Sequence, residues 1–227
     1  MKVSYRSKNA LVYDQLRKAI IAGDYKPGTR LVIDQLAIEL GVSQIPIREA
    51  MRELEGDGFV TIEPYAGSTV TALNASFIFE IFALLESIEI VCSRTIYCRM
   101  TDLELATLTT MIDTMEDSLN DPDLWSQQNK DLHLYICDCA HSVLSKNILQ
   151  KVMAHWDRLR LHYFKDVFGQ RIHFAQQEHR QILAAFRARD LDQLEQAIST
   201  HNQNGLHSYL GYLRSAGLID PAVENCL

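Results

Sequence analysis

The segment Gly41–Gly58 constrains the fold of this chain more than any other stretch of the sequence. Ser43 can cap a helix, and Pro46 falls in the first turn of that helix, where the missing N–H group of proline costs no hydrogen bond. Four apolar side chains follow at the spacing of one buried helix face: Ile47, Ala50, Met51 and Leu54. Gly56 and Gly58 then end the helix. This pattern predicts the second helix of a helix-turn-helix.

The other face of this predicted helix carries polar side chains near its N-terminus. In a helix-turn-helix, the residues at that end of the second helix reach base edges and phosphates in the major groove of DNA. We therefore expect a double-stranded DNA operator as a partner. The candidate DNA-binding residues are Arg30, Ser43, Gln44, Ile45, Pro46, Arg48, Arg52 and Gly67.

The flanking segments extend this motif to a winged helix-turn-helix over residues 1–73. Apolar stripes indicate helices near residues 9–22 and 33–40. Two short β-rich runs, 59–62 and 68–71, are joined by a Pro-Tyr-Ala-Gly turn and predict a hairpin. The tip of this wing, from Tyr65 to Ser68, is expected near the minor groove or the flanking phosphates.

The formal charge of −7 argues at first against a nucleic-acid partner. Residues 1–74, however, carry nine basic and nine acidic side chains, so the rest of the chain holds the whole negative excess. The first 30 residues have seven basic and two acidic side chains, which suits contact with a phosphate backbone. Ordinary solvated surface charge is the alternative for this segment.

The composition is that of a soluble globular protein, with 47% hydrophobic and 22% charged residues. No apolar run approaches the ~18 residues of a membrane span, and the first residues lack the apolar core of a signal peptide. We therefore expect a cytoplasmic protein without a membrane partner. The five cysteines lack zinc-finger spacing and fit reduced thiols better than a disulfide framework.

Residues 74–227 predict an all-helical domain. Apolar periodicity and cap residues such as Thr101 and Asp121 indicate six helices: 75–99, 101–119, 121–140, 143–167, 170–188 and 190–213. No strand-like alternation interrupts them, and short connections favour antiparallel neighbours. The fold class is therefore mainly α, with an N-terminal winged helix-turn-helix (1–73) and a C-terminal bundle of about six helices (74–227).

Three of these predicted helices carry residues that could bind a metal. Asn129 and His133 are four residues apart on one helix face, and His179 and His201 lie in two other helices. If the helices converge, these side chains offer three nitrogen donors and one oxygen donor. The alternative is that scattered histidines are surface residues or satisfied core residues, and spacing alone favours that alternative.

Seven short segments in the N-terminal part occur in a characteristic order: residues 13–20, 23–31, 36–37, 41–43, 46–51, 54–55 and 58–60. Together they resemble the N-terminal domain of the GntR family of bacterial transcription regulators. The resemblance implies a homodimer in which Arg48 contacts DNA and the residue after Ser43 reads a base. That residue is usually Arg in the family but is Gln44 here. Since Gln suits adenine and Arg suits guanine, we expect an operator that differs from the family consensus.

Further segments in the C-terminal part are residues 129–133, 145–149, 178–185, Asp190 and His201. They resemble the FCD effector domain that accompanies the FadR branch of the GntR family. The resemblance implies a divalent metal held by Asn129, His133, His179 and His201. Zinc or nickel suits three imidazoles best. It also implies a small-molecule effector, an organic acid whose carboxylate or hydroxyl completes the metal shell.

The chain departs from the FCD pattern in the first helix of the bundle. Many such domains have an Arg four residues before Glu86 that can pair with a carboxylate ligand, but Phe82 stands there. We therefore expect a less cationic pocket and a less acidic or more aromatic effector. The candidate effector-pocket residues are Phe82, Glu86, Arg94, Arg158 and Tyr163, and core packing is the alternative for the tyrosine and solvation for the arginines.

These observations predict a ligand-responsive DNA-binding transcriptional regulator and not an enzyme. One rival is a metal-dependent enzyme with an accessory winged helix, since three His ligands with an open position can activate a water. Against it, no general base is evident, because Glu178 adjoins His179 but is expected to point away from it. A second rival is a protein–protein module, which the acidic total charge would suit.

Overall fold

The computed structural model describes residues 8–63 and 67–219. The chain divides into two compact units, Met1–Leu73 and Asn74–Leu227, and each is described by itself. In the first unit the elements are α1 (Lys8–Ala22), β1 (Arg30–Leu31), α2 (Ile33–Leu40), α3 (Gln44–Gly56), β2 (Val60–Glu63) and β3 (Gly67–Val70). Tyr65 at the expected wing tip lies outside the described residues.

The strands form an antiparallel sheet in the order β1-β3-β2. The predicted hairpin is its β2–β3 pair, in which Thr61 lies opposite Thr69. The third strand, β1, was not predicted. It has only two residues, with Arg30 opposite Thr69, and so short a strand leaves no alternating pattern in the sequence.

The core of the first unit lies between α1 and α3. Val12, Leu16 and Ile20 on α1 are buried, and they face the buried stripe of α3 predicted from the sequence, whose Ile47 and Leu54 are fully buried. Burial of one such side chain contributes about 1.5–3 kcal/mol. This packing fixes which face of α3 remains exposed.

Gly41 makes the turn between α2 and α3. Its φ of 64° is left-handed, and its N–H bonds to the carbonyl groups at the end of α2. Glycine adopts this conformation without the steric penalty of a Cβ atom. The turn therefore allows α3 to start at Gln44, immediately after Ser43, which confirms the predicted helix-turn-helix.

The second unit is mainly α-helical. Its helices are α4 (Ala75–Ile96), α5 (Asp102–Asp117), α6 (Pro122–Cys139), α7 (Val143–His162), α8 (Gly169–Ala188) and α9 (Leu191–Ser215). A π-helical segment, Phe164–Phe168, follows α7, so α7 ends earlier than the predicted residue 167. Helix α4 packs against α6, α7 and α9, and α8 packs against α5 and α9. None of the described helices combines the length and the apolar character needed to cross a membrane.

Side-chain caps determine where four of these helices begin. Asn74, Thr101, Asp121 and Asp190 each accept a hydrogen bond from a backbone N–H group in the first turn. The side chain of Glu104 in turn accepts a hydrogen bond from the backbone N–H of Thr101, which completes a capping box. A cap of this kind stabilises a helix by about 1 kcal/mol. The cap at Asn74 starts α4 at the first residues of the second unit.

Candidate nucleic-acid interface and metal centre

The N-terminal end of α3 presents an exposed face. Exposed side chains there belong to Ser43, Gln44, Ile45, Arg48 and Arg52. Ile45 is 68% exposed, and an apolar side chain at this position can contact a thymine methyl group. Pro46 is a correction to the predicted interface, because it is buried beside Ile47 in the first turn of α3 and offers no exposed side chain there.

Gln44 and Arg48 are linked to each other on this face. The amide of Gln44 donates to Asp34 Oδ1 on α2 at 2.6 Å and accepts from Arg48 Nη2 at 3.3 Å. Both contacts are solvent-exposed and so contribute little to stability. The two side chains can therefore exchange these partners for base or phosphate groups at low cost.

The structure also brings Arg30 and Gly67 together. A Cβ atom on Gly67 would lie 3.3 Å from Arg30 Nη2, and Gly67 has a φ of 100°. The Arg30 side chain therefore lies across the backbone at the start of β3, beside the wing. Only glycine at position 67 allows the Arg30 side chain to approach the backbone this closely without strain.

Three histidines from three helices converge in the second unit. His133 on α6, His179 on α8 and His201 on α9 each offer one donor atom, and these atoms lie within 4.8 Å of one another. Their ring centroids are 4.7–5.6 Å apart. His133 and His179 are buried and His201 is half-buried. The cluster thus has the donor type and the spacing of a transition-metal site.

Asn129 lies one helical turn before His133 and is also buried. Its Oδ1 atom has no hydrogen-bond partner among the described residues. A buried amide oxygen without a partner costs free energy. A hydrogen-bond donor or a cation beside Asn129 Oδ1 would remove that cost. All four predicted metal-site residues are therefore in one region, although they come from different helices.

Two carboxylates orient the outer nitrogens of the cluster. Glu89 Oε1 lies 2.9 Å from His133 Nδ1, and Glu178 Oε2 lies 2.8 Å from His201 Nδ1. Because Nδ1 of each ring is engaged by a carboxylate, Nε2 is the nitrogen that remains available to bind a metal. Metal-binding histidines commonly have such carboxylate partners, which fix the ring orientation and raise the basicity of the ligand.

Both carboxylates have a lowered pKa, which favours their ionised form near pH 7. Burial alone would raise the pKa of Glu89, but attraction to His133 and the hydrogen bond between them outweigh it, and the pKa lies below its ordinary value. Burial likewise opposes ionisation of Glu178, whose pKa is lowered by hydrogen bonds with His201 and Arg171. Glu178 was expected to point away from His179. It does so, and contacts the neighbouring imidazole of His201.

His179 differs from the other two histidines because neither of its ring nitrogens has a partner among the described residues. Its ring stacks on Trp125 with centroids 5.8 Å apart. Burial, followed by the nearby charges of His201 and His133, holds its pKa well below the ordinary value. The ring is therefore neutral near pH 7, which is the form that binds a metal. These unpartnered atoms of His179 and Asn129 fit a divalent cation.

A cavity of about 50 Å³ adjoins the cluster. On the same measure a single water needs ~10–15 Å³, so the space suits a ligand of a few heavy atoms. Its wall includes His133, His201 and Asn129 together with apolar and aromatic side chains. Among the five candidate effector-pocket residues, Phe82 lines this wall.

The structure gives the other four candidates different surroundings. Glu86 accepts a hydrogen bond from Ser199 at 2.6 Å, and Arg94 is exposed and pairs with Glu195. Glu86 and Arg94 are not among the described residues that line the cavity. Both lie on the side of α4 that meets α9 at the surface. The residues of α4 that line the cavity beside Phe82 are Leu85 and Glu89.

Arg158 and Tyr163 also lie outside this wall. Arg158 is buried, its guanidinium lies over the ring of Phe77, and burial lowers its pKa to about 10. Tyr163 packs its ring against Tyr209 and Tyr212. The contribution of α7 to the cavity comes from Met153 and Trp156.

The cavity wall also contains polar residues that were not predicted from the sequence, among them Arg171 and Tyr209. Nε and Nη1 of Arg171 and the hydroxyl of Tyr209 are buried without a partner in the described parts of the chain. Nη2 of Arg171 pairs with Glu178. Burial raises the pKa of Tyr209, so its hydroxyl stays protonated and can donate. A signal was present, because Arg171 lies eight residues before His179 and Tyr209 eight residues after His201, a spacing of about two helical turns.

Arg171 also faces the outside of the bundle. It lines a surface groove of about 430 Å³ together with Phe174, Glu178, Asn204 and His207. The same side chain therefore borders both the groove and the cavity.

Comparison with known proteins matches both parts of the chain. The family model for bacterial regulatory proteins of the gntR family matches residues 8–70, and that for the FCD domain matches residues 80–204. The uncharacterized HTH-type transcriptional regulator YdhC of Bacillus subtilis (strain 168) is 30% identical, over 83% of this chain and 85% of that protein. The HTH-type transcriptional repressor RspR of Escherichia coli (strain K12) is 24% identical, over 86% of each chain.

Solved structures share the fold. E. coli McbR/YncC matches with a TM-score of 0.69 at 20% identity, covering 91% of this chain and 99% of that one. A putative GntR transcriptional regulator from Rhodococcus sp. RHA1 matches with the same TM-score at 22% identity and with the same coverage. A winged helix-turn-helix followed by a helical domain is thus an arrangement that all three chains have in common.

Proposed function

This chain belongs to the GntR family of bacterial regulatory proteins and carries an FCD domain, and from that premise we propose that a small carboxylate in the FCD cavity controls its affinity for operator DNA. The family and the relatives identify it as a DNA-binding transcriptional regulator and not an enzyme.

One observation carries the proposal: Asn129, Arg171 and Tyr209, which line the cavity, each have a buried polar atom without a partner among the described residues. Asn129 offers an oxygen to a cation, whereas Arg171 and Tyr209 offer N–H and O–H donors to an anion. An apolar pocket with a few convergent polar groups is the usual form of a small-molecule site. An anionic ligand oxygen would satisfy both donors at once.

A divalent metal would be held by Asn129 Oδ1 and the imidazoles of His133, His179 and His201. Zinc or nickel suits these donors best. When bound, the metal supplies positive charge and a coordination position for a ligand oxygen.

Charge supports a carboxylate as the ligand. With the three imidazoles neutral, as metal binding requires, Glu89 and Glu178 are negative and Arg171 is positive, so the cluster has a net charge of −1 and a divalent cation would change it to +1. A monocarboxylate would neutralise that charge. A neutral ligand would leave it buried, which is costly.

The response is allosteric in the sense that the ligand favours one of two arrangements. The cavity wall includes residues of α4, α6, α7, α8 and α9, so a ligand that pulls Arg171 and Tyr209 inward changes the packing of several helices. Helix α4 begins at Ala75, directly after the DNA-binding unit in sequence. In a homodimer, a shift of α4 would alter the spacing of two recognition helices across a palindromic operator in the cytoplasm.

In the described parts of the chain, the two carboxylates beside the cluster are both engaged, which speaks against the rival metalloenzyme. Glu89 is engaged by His133 and Asn202, and Glu178 by His201, Arg171 and Asn204. A carboxylate bound to a ligand imidazole orients that ligand and is not free to take a proton from water.

Thermal shift with paired ligands tests the proposal. Metal-loaded protein is screened with small carboxylates and with the matching amides, and each hit is then tested in a DNA-binding titration. Carboxylates should raise the melting temperature and change the DNA affinity, whereas the amides should not. R171Q should lose the response, and R187Q, which changes an exposed arginine of the same helix, should keep it. Equal effects of acids and amides, or of the two variants, would overturn the proposed ligand class.

A further inference from the structure

Cys92 on α4 and Cys137 on α6 form a buried pair of thiols. Their sulfur atoms are 2.9 Å apart, and both residues are almost fully buried, at 0% and 1% exposure. The sulfur–sulfur bond of a disulfide is about 2.05 Å long, so the two sulfur atoms would have to approach each other by a further ~0.9 Å to form one. Proteins in reducing compartments use such pairs for redox sensing or catalysis more than for structure.

We propose that Cys92 and Cys137 are a redox-sensitive site that forms a reversible disulfide between α4 and α6 when hydrogen peroxide is present. This proposal does not depend on the proposed metal or effector, because it rests on two thiols that neither of them uses.

The two helices already hold the thiols in register. Glu89 lies three residues before Cys92 on α4, and His133 lies four residues before Cys137 on α6. Because residues three or four apart occupy one helix face, the Glu89–His133 contact of 2.9 Å and the thiol contact are successive contacts between the same two helices. The Glu89–His133 contact therefore keeps α4 and α6 at the separation that the thiol contact requires.

The environment makes the two thiols unequal. The hydrogen bond with Cys137 lowers the pKa of Cys92, and the hydroxyl groups of Ser145 and Ser142 add to this effect, whereas the same contact and burial raise the pKa of Cys137. The lowered pKa favours Cys92 as the attacking thiol, and Cys137 is then the thiol that closes the bridge. Ser142, at the connection between α6 and α7, and Ser145, in the first turn of α7, are half-buried, and the hydroxyl groups of both contact the Cys92 sulfur.

Hydrogen peroxide is the only oxidant that the formation of this disulfide requires. The Cys92 thiolate attacks one peroxide oxygen, the O–O bond breaks, and the products are a sulfenic acid and hydroxide, which takes up the proton that Cys92 released. The Cys137 sulfur then attacks the Cys92 sulfur, the disulfide bond forms, and the expelled hydroxide takes the proton of the Cys137 thiol. Two thiols lose two electrons in total, and one hydrogen peroxide becomes two waters.

Thiol counting on the full chain tests the proposal. Purified protein is treated with hydrogen peroxide, the remaining thiols are alkylated under denaturing conditions, and the mass is measured before and after dithiothreitol. The wild-type chain should change from five alkylated cysteines to three, and dithiothreitol should restore five. A tryptic map should link residues 53–94 to residues 131–146.

Cys139 provides the matched control, because it lies in the same tryptic peptide as Cys137 and is more exposed. C139S should still form the linked peptide, whereas C137S should not and should trap the sulfenic acid at Cys92. Five alkylated thiols after peroxide, a link that disappears in C139S, or oxidation of Cys92 to sulfinic acid without a bridge would each overturn the proposal. The wild-type and C139S results decide the question even if C137S fails to fold.

Discussion

Replacing Glu89 by Gln separates the orienting role of this carboxylate from the metal ligands themselves. Glu89 Oε1 contacts His133 Nδ1 at 2.9 Å, and its Oε2 accepts from Asn202 Nδ2 at 2.8 Å. In E89Q the amide oxygen can still accept from the imidazole, but the amide nitrogen then faces the donor group of Asn202. The substitution thus keeps the shape, removes the charge and creates a clash between two donors.

The expected magnitude follows from the burial of this contact. The side chains of His133 and Glu89 are only 4% and 6% exposed, so solvent does not screen the interaction. A hydrogen bond to a charged group contributes about 1.5–3 kcal/mol and a neutral one about 0.5–1.5 kcal/mol. Loss of such a carboxylate partner typically weakens metal binding by about 10- to 100-fold, which corresponds to about 1.4–2.7 kcal/mol.

The assay is a competition titration of zinc or nickel between the metal-free protein and a chromophoric chelator. The control is E80Q, which removes an exposed carboxylate from the same helix and should bind metal as the wild type does. Circular dichroism of the metal-free proteins checks that each variant is folded.

Two outcomes would refute this reasoning in different ways. If E89Q and E80Q bind metal equally well while H179A does not bind it, the metal site stands and Glu89 does not orient His133. If H179A binds metal like the wild type, the assignment of the metal site itself is wrong.

Three further predictions concern other parts of the molecule. R48A removes an exposed side chain from α3 and should weaken operator binding by about 1–3 kcal/mol, the range for one good base contact, without changing the melting temperature; unchanged DNA affinity in a mobility-shift titration would exclude this role. G205A would place a Cβ atom 2.5 Å from Phe82 Cε1 and push that ring into the cavity. The protein should lose about 1–3 kcal/mol of stability and its ligand-induced thermal shift, whereas G211A, with open space around its Cβ position, should keep both. Chelation should lower the melting temperature of the wild type but not that of H179A, because only a metal bound to the native state adds to stability; an equal decrease in both would speak against the site.

Local patterns in the sequence were sufficient for most of the fold. The stripe Ile47, Ala50, Met51 and Leu54 predicted both the existence and the buried face of α3, because a helix repeats every 3.6 residues and only one side can meet the core. Caps such as Thr101 and Asp121 predicted helix starts for a similarly local reason, since they satisfy N–H groups of the next turn. Predicted ends were less accurate: α4 ends at Ile96 and not at residue 99.

The candidate metal site shows where local patterns stop being sufficient. Asn129 and His133 were connected by their four-residue spacing on one helix, but nothing in the sequence alone joins them to His179 and His201. The family resemblance supplied that connection. Arg94 and Arg158 were predicted as cavity residues in place of Arg171, because the exposure of a helical arginine depends on which neighbours pack against it.

What the sequence determined by itself was the set of elements: helices, caps, the glycine turn at Gly41 and the exposed end of α3. Each depends on residues within one or two turns of each other. Tertiary structure alone decided which side chains from distant helices meet: Glu89 with His133, Glu178 with His201, Cys92 with Cys137. These contacts are set by the packing of whole helix faces, and packing is a property of pairs of elements that no single stretch of sequence contains.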